Sequence, residues 1–174
     1  MRRFSSFLFI AFVLFAGNSL AQTKKLTLED IYSKNRYGSR GVGPLRWMKD
    51  NKSYSTLEYN AAAGGADIVR YEVETGTKSV LISAAQLVPA PGSKPLSMDD
   101  YEWSGDNSKL LLFTNTKKVW RYNTRGDYWV LDLKSGKLSQ LGKSLPVSSL
   151  MFAKFSPDGS RVGYVSQQNI YVEE

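Results

Sequence analysis

Chemistry in this chain would have to come from carboxylates, arginines and hydroxyl groups, because the sequence contains no histidine and no cysteine. Without histidine it cannot hold a Ser-His-Asp or Cys-His triad, in which an imidazole takes the proton of the nucleophile. Without either residue it has no ordinary zinc site, no disulfide and no reactive thiol. The sequence therefore predicts no catalytic triad, no metal site and no cofactor within this chain.

Pairs of carboxylates are the next candidates, since glycoside hydrolysis uses two of them. Such pairs stand at Asp99-Asp100 and at Glu72 with Glu74. A catalytic pair is defined by its separation in space, and nothing in the sequence brings these side chains together. We interpret them as solvated charges of turns and strands.

One arginine, Arg121, follows a tryptophan in a stretch rich in basic and aromatic residues. A guanidinium is always charged and presents a fork of donors, which suits it to bind oxygen acceptors. From the residues alone a second interpretation stays open, in which Arg121 pairs with a nearby acid such as Asp127 on a surface hairpin. We interpret Arg125 and Lys117-Lys118 as solvated loop charges.

The composition is that of a globular protein, with 42% apolar and 13% aromatic residues. The formal net charge of +7 is modest, and the basic residues are spread along the chain. A nucleic-acid surface would need them clustered with stacking aromatics. We therefore expect no nucleic-acid partner.

Residues 1–21 have the three parts of a secretory signal peptide. Arg2-Arg3 forms the positive start, Phe4 to Ala16 is apolar apart from two serines, and Ser19 to Ala21 places small residues before a cleavage site. The apolar run is shorter than the roughly 20 residues that a membrane-spanning helix needs. We expect a periplasmic or secreted protein whose mature chain begins at Gln22.

The remaining sequence repeats. An aromatic residue, a tight polar turn and an apolar run follow one another three times, in Leu45 to Lys52, Tyr101 to Ser108 and Ala153 to Ser160. A second unit recurs in Asp67 to Gly76 and Asp127 to Gly136 and begins again at Asn169 to Val172. The aromatic residues Trp47, Trp103 and Phe155 of the three copies are 56 and 52 residues apart. Internal repetition at such a period is typical of stacked architectures.

Each repeat reads as strands joined by hairpins. Ser156 to Gly159 is a strong turn signal, because proline presets φ and glycine accepts a positive φ. Lys109 to Phe113 is a short apolar run without a helical period, which predicts a buried strand. Ile68 to Val73 alternates like a half-buried strand, and Thr75-Gly76 and Ser135-Gly136 close the next hairpin.

Four strands per repeat predict the blades of a β-propeller. We expect an all-β, partial β-propeller of about two and a half four-stranded blades, truncated before ring closure, with a flat sandwich of about ten strands as the alternative. The predicted organisation is a signal peptide over 1–21, an N-terminal segment with a short helix over 22–43, and blades 1 to 3 over 44–174. Thr27 with Asp30 resembles a capping box for that helix, and Ala84 to Pro95 reads as the loop between blades. Because the sequence stops in mid-hairpin, we expect it to be the front of a longer protein.

The chain resembles the N-terminal propeller region of dipeptidyl peptidase IV and its bacterial relatives. Three segments carry the resemblance: Leu26 to Ile31, Lys117 to Leu133 with its Trp-Arg pair, and Phe155 to Val172. Members of this family are serine exopeptidases that release N-terminal dipeptides, usually after Pro or Ala. The resemblance implies peptide substrates with a free N-terminus, and a C-terminal α/β-hydrolase domain that supplies Ser, Asp and His.

The resemblance also implies roles for individual residues. Arg121 matches the arginine that binds a carbonyl of the substrate's N-terminal part, and Trp120 is interpreted as a packing residue that orients it. The family's paired glutamates, which bind the substrate amine, lie well downstream, so we read Glu173-Glu174 as ordinary polar turn residues. A homodimer of the full-length protein, and dipeptide against tripeptide release, stay open. A non-catalytic secreted propeller that binds a protein or ligand is the alternative function.

Overall fold

The computed structural model describes residues 25–34, 36–39, 41 and 43–174. The predicted signal peptide lies outside the described residues. The described chain falls into two units, one that ends at Gly41 and one from Val42 to Glu174. Within these residues no helix has both the length and the apolar character that a bilayer crossing requires.

The first unit contains one helical turn, Glu29–Ser33, closed by the amide of Lys34 donating to the carbonyl of Glu29 at 3.0 Å. The amide of Asp30 donates to the hydroxyl of Thr27 at 3.1 Å. The predicted short helix is therefore present, but its N-cap is Leu28 and only one of the two bonds of the predicted capping box forms. The carboxylate of Asp30 accepts from Arg36 at 3.4 Å instead of from Thr27.

The second unit is built from strands that form three antiparallel sheets. The first sheet contains β1 (Arg46–Trp47), β2 (Ser53–Asn60), β3 (Gly65–Glu72) and β4 (Lys78–Ile82). The second contains β5 (Met98–Trp103), β6 (Lys109–Val119), β7 (Tyr122–Asp132) and β8 (Leu138–Gln140), and the third β9 (Met151–Phe155), β10 (Val162–Ser166) and β11 (Asn169–Glu173). In each sheet the strands lie side by side in chain order.

The three predicted turns join the first and second strands of the three sheets. Asn51, Asn107 and Gly159 occupy the same turn position with φ of 54°, 59° and 69°. Asparagine and glycine are the residues that adopt this left-handed region most readily. The amide of each donates to the carbonyl three residues earlier, at 3.1, 2.9 and 2.9 Å. The repeat in the sequence is therefore a repeat in backbone geometry.

The middle sheet is buried on both faces. Leu110 and Leu112 of β6 lie in an apolar cluster with Ile68 and Leu87 on the side of the first sheet. Leu111, between them in sequence, lies in a second cluster with Leu150, Ala153, Val162 and Tyr164 on the side of the third sheet. Successive side chains of a strand point to opposite faces, and each buried leucine contributes about 1.5–3 kcal/mol. This explains why Lys109 to Phe113 is apolar without alternation.

Two cores separated by one sheet are typical of stacked blades, whereas a sandwich has one core between two sheets. The partial propeller is therefore confirmed and the flat sandwich was wrong. Three sheets do not close a ring, which takes typically 4–8 blades. The connection from the first blade to the second is not a plain loop, because Ala84–Leu87 forms a 3₁₀ turn whose Leu87 is fully buried.

Candidate functional site

A long hairpin of the second blade carries the predicted site residue. Strands β6 and β7 pair regularly as far as Thr114 opposite Asp127, and then a bulge shifts the register before Lys117 meets Arg125. Gly126 leaves this ladder and instead exchanges two backbone hydrogen bonds with Leu150, both at 3.0 Å. We call residues 115–125, which extend beyond this point, the arm.

Gly126 permits this branching because it has no side chain. A Cβ there would lie 2.5 Å from Cε2 of Phe113 and 2.7 Å from the carbonyl oxygen of Thr114. These distances are shorter than any ordinary carbon contact, so a larger residue would push β6 and β7 apart at the base of the arm.

Arg121 lies at the tip of the arm, in the two-residue turn between Val119 and Tyr122. Trp120 precedes it in the turn with φ of 61°, and its side chain is 94% exposed. The prediction that Trp120 packs and orients Arg121 was wrong. At the end of this two-stranded ribbon no other described strand covers either face, so the indole is left to solvent.

The guanidinium of Arg121 is exposed, and it has no hydrogen bond or ion pair with any residue that the structure describes. The suggested partner, Asp127, is buried and occupied elsewhere. Its carboxylate accepts the amide of Ser148 at 2.6 Å and the side-chain amide of Asn115 at 2.7 Å. The interpretation of Arg121 as half of a hairpin ion pair with Asp127 was therefore wrong.

An open depression of about 440 Å³ lies beside the tip. Arg121 lines it together with Asp99, Asp100, Phe113, Lys118, Tyr122 and Asn123. The depression thus places a long cationic side chain beside two carboxylates and two aromatic rings.

The two neighbouring carboxylates have separate partners, although we expected solvated charges. Asp100 accepts Nη2 of Arg46 at 2.6 Å, and this arginine also donates through Nε to the carbonyl of Tyr101 at 3.0 Å. Asp99 accepts the hydroxyl of Thr116 at 2.9 Å. Asp100 therefore joins two blades, and Asp99 joins the arm to β5.

A second cavity, of about 240 Å³, lies among the first strands of the three blades and shares Asp100 and Phe113 with the depression. Lys154 of β9 and Glu102 of β5 form an ion pair of 2.5 Å at its wall. Phe152 also lines it, with φ of 57° and a side chain that is 63% exposed. This residue sits in a bulge, where two residues of β9 oppose Tyr164 of β10.

Sequence reasoning missed Arg46, Glu102 and Lys154 as wall residues. A signal was present, because each immediately precedes the aromatic residue of its repeat. Their charges alternate in sign from one copy to the next, which suits ion pairs between successive blades. Phe152 gave no such signal, since a bulge cannot be read from a single apolar strand.

Two tyrosines of this region titrate late. Burial raises the pKa of Tyr101 to about 12, against a smaller lowering by its hydrogen bond to Ser55. Burial likewise raises the pKa of Tyr128, which lines the cavity. Both phenols are therefore neutral at physiological pH, and that of Tyr101 donates its proton to Ser55.

The acidic pair at the end of the sequence is engaged in the fold. The sequence predicts that Glu173 lies in a turn, but it is the last residue of strand β11. Its Oε1 accepts the amide of Gly142 at 2.9 Å and also the hydroxyl of Tyr164. Glu174 pairs with Nη2 of Arg161 at 2.9 Å. Extended pairing of β11 with β10 along its whole length places Glu173 beside Val162.

Known peptidases are similar in sequence to most of this chain. Human prolyl endopeptidase FAP is 30% identical over 151 residues, which cover 87% of this chain and 18% of the relative. Dipeptidyl aminopeptidase B of Saccharomyces cerevisiae is 27% identical over 130 residues, covering 74% of this chain and 15% of the relative. The family model described as the dipeptidyl peptidase IV (DPP IV) N-terminal region matches residues 104–174.

The structural comparison agrees. The crystal structure of Porphyromonas gingivalis dipeptidyl peptidase 4 matches with a TM-score of 0.69 and 26% identity, covering 86% of this chain and 20% of that one. The chain therefore corresponds to an N-terminal region of a dipeptidyl peptidase IV-type protein. As such a region it spans about a fifth of the length of these relatives. The part that matches the DPP IV family model includes Arg121 and the whole arm.

Proposed function

We propose that this chain is the substrate-anchoring part of a periplasmic or secreted serine exopeptidase that releases N-terminal dipeptides, often after Pro or Ala. Arg121 is the anchor and binds a carbonyl oxygen in the N-terminal part of the peptide. The chain has no histidine. The base that activates the nucleophile therefore comes from a C-terminal α/β-hydrolase domain of the full-length protein, and this chain is inactive alone.

The observation that carries the proposal is the state of Arg121. Its guanidinium is exposed at the tip of the arm, lines an open depression and is bonded to no other described residue. A guanidinium without an internal partner keeps all its donors for a ligand, and its fork fits oxygen acceptors. Fixing a peptide relative to a distant nucleophile lowers the barrier, because the reacting groups no longer have to find one another.

The surroundings suit a peptide better than a small anion. Four basic residues of the arm, Lys117, Lys118, Arg121 and Arg125, are exposed, but the depression also contains two carboxylates and the rings of Phe113 and Tyr122. Mixed charge next to aromatic rings can accept a chain that carries both a carbonyl and an apolar side chain. The similar human and yeast proteins are a prolyl endopeptidase and a dipeptidyl aminopeptidase, which supports the same class of substrate.

The test is Arg121→Ala in the full-length protein, assayed with a Gly-Pro chromogenic substrate. Loss of a hydrogen bond from a charged donor costs about 1.5–3 kcal/mol, so kcat/KM should fall about tenfold or more. Arg125→Ala is the matched control, because Arg125 is also exposed on the arm but lies outside the depression. Its kcat/KM should stay near that of the wild type.

Two results would overturn the proposal. Unchanged kinetics of a folded Arg121→Ala variant would remove Arg121 as the anchor. A full-length protein that is folded but cleaves no dipeptide chromogen would favour the binding module instead. The size of the native protein in a periplasmic extract, measured by immunoblot, shows first whether a hydrolase domain accompanies the 19.5 kDa chain.

A further inference from the structure

The arm has little support from the sheet. Among the described residues its two strands pair only with each other. Five of its residues are exposed: Lys117, Lys118, Val119, Tyr122 and Asn123. The pairing is also irregular, since the register shifts on both sides of Lys117. A two-stranded ribbon is marginally stable by itself in water. Without other contacts the tip, and with it Arg121, would sample many positions.

Side-chain hydrogen bonds at Thr116 supply a contact of this kind. The Thr116 hydroxyl donates to Oδ2 of Asp99 at 2.9 Å and accepts from Nδ2 of Asn123 at 2.9 Å. Thr116 belongs to the outgoing strand of the arm, Asn123 to the returning strand and Asp99 to β5. One hydroxyl thus joins both strands of the arm to the first strand of the blade.

The backbone explains why Asp99 is available. A register shift lies between Met98 and Asp100 in β5, so that Asp99 is the extra residue of a bulge. A bulge leaves its extra residue outside the ladder and redirects its side chain. Its neighbour Asp100 binds Arg46 of the first blade, whereas the carboxylate of Asp99 binds Thr116 of the arm. The bulge in β5 and the bulge at the base of the arm therefore both help to bring Asp99 and Thr116 together.

We propose that Thr116 is a positioning residue for Arg121. Its hydroxyl bonds to both Asp99 and Asn123 and thereby restrains the arm. The guanidinium of Arg121, two residues before Asn123, then stays over the depression. The inference rests on the proposed anchoring role for its effect on kinetics, but the restraint of the arm is measurable without any activity.

The experiment uses Thr116→Val in the full-length protein, which removes the hydroxyl and keeps the size and β-branching of the side chain. Thr116→Ser restores the hydroxyl. Thr124→Val is the matched control, because Thr124 lies on the same arm and makes no side-chain hydrogen bond among the described residues. Circular dichroism melting confirms that all variants are folded.

The first readout is limited digestion with trypsin, which cleaves after Lys and Arg. Four of these residues lie on the arm: Lys117, Lys118, Arg121 and Arg125. Mass spectrometry follows cleavage at these sites. The Thr116 hydroxyl bonds to an ionised carboxylate, but Asp99 and Asn123 are both exposed and water competes for these bonds. Arm cleavage in Thr116→Val should therefore be about three- to tenfold faster. Thr116→Ser and Thr124→Val should match the wild type. Equal cleavage of Thr116→Val and the control overturns the inference.

The second readout is the kinetics with the Gly-Pro substrate. We expect KM to rise about three- to tenfold in Thr116→Val, by the same hydrogen-bond free energy, with kcat nearly unchanged. If Arg121→Ala impairs the enzyme and Thr116→Val loosens the arm without changing KM, the positioning role is overturned. If Thr116→Val loosens the arm and Arg121→Ala has no effect, the restraint is supported and the proposed anchoring function fails.

Discussion

Asp127 accepts a hydrogen bond from the backbone amide of Ser148, with 2.6 Å between Oδ1 and the nitrogen. Asp67, at the same place in the preceding repeat, accepts the amide of Ala84 at 2.7 Å. Both aspartates are buried in the third strand of their blades, and both amides belong to the chain that leads to the next blade. The first two blades thus each bind the chain that leads to the next blade through one carboxylate.

Replacing Asp127 should therefore destabilise the protein. Asp127→Ala leaves the buried Ser148 amide without its charged acceptor, which costs about 1.5–3 kcal/mol. The exposed Asn115 side chain also loses this partner, but water can replace it. Asp127→Asn keeps one acceptor oxygen but turns an NH₂ group toward Asn115, so its loss should be smaller. Urea unfolding of the full-length protein measures both. Glu74→Ala, at an exposed residue with no bond among the described side chains, is the control, and equal stability of all three variants would contradict the prediction.

The branching of the arm depends on the glycine at its base. We expect Gly126→Ala to lower the free energy of unfolding by about 1–3 kcal/mol, because the new methyl group collides with Phe113 and Thr114. Gly163→Ala is a suitable comparison in another strand, since its Cβ would meet its nearest neighbour only at 3.9 Å. Thermal melting of the two variants measures the difference in stability. A Gly126→Ala protein as stable as Gly163→Ala would refute the role of Gly126.

The turn aspartates should make the fold sensitive to acid. Hydrogen bonds from the hydroxyl of Ser156 and the amide of Ser160 lower the pKa of Asp158 to about 2. The hydroxyl of Ser104, together with Ser108, lowers the pKa of Asp106 well below its usual range. A lowered pKa in the folded state stabilises the protein above the unfolded pKa of about 3.9, and this contribution is lost as pH falls toward 2.

The measurement for Asp158 is the difference in unfolding free energy between the wild type and Asp158→Asn, followed from pH 7 to pH 2. We expect the advantage of the wild type to be constant at neutral pH and to disappear below pH 4. A carboxyl resonance of Asp158 that titrates by NMR at its ordinary value would show that the turn does not hold the ionised form.

Buried tyrosines should limit stability on the alkaline side. The pKa of Tyr101 is raised to about 12, and burial, with the hydrogen bond to Glu173, raises that of Tyr164 well above its usual range. A raised pKa of a phenol stabilises the fold in full below about pH 10, and the contribution is lost as pH rises through the folded value. Absorbance at 295 nm should show these phenols ionising late, and Tyr101→Phe should remove part of the late amplitude. An unchanged late amplitude would contradict the assignment to Tyr101.

The local structure of this protein was predictable because it depends on neighbours in the sequence. The turns at Asn107 and Gly159 need residues that accept a positive φ, and the hairpins around them follow from the apolar runs on either side. The two-sided burial of β6 was legible as a run of leucines from Leu110 to Leu112. Arg121 could be singled out because its neighbours carry the family resemblance.

The sequence by itself determined the strands, the order of the hairpins and the stacking of repeated units, since periodicity and turn chemistry are local. Only the tertiary structure decided which side chains meet across blades. The exposure of Trp120 depends on the hairpin extending beyond the sheet, and the bond of Asp127 to Ser148 depends on where the next blade begins. The contact of Thr116 with Asp99 depends on bulges that shift a strand by one residue. A one-residue shift sends a side chain to the other face, and the contacts that select it come from parts of the chain far away in sequence.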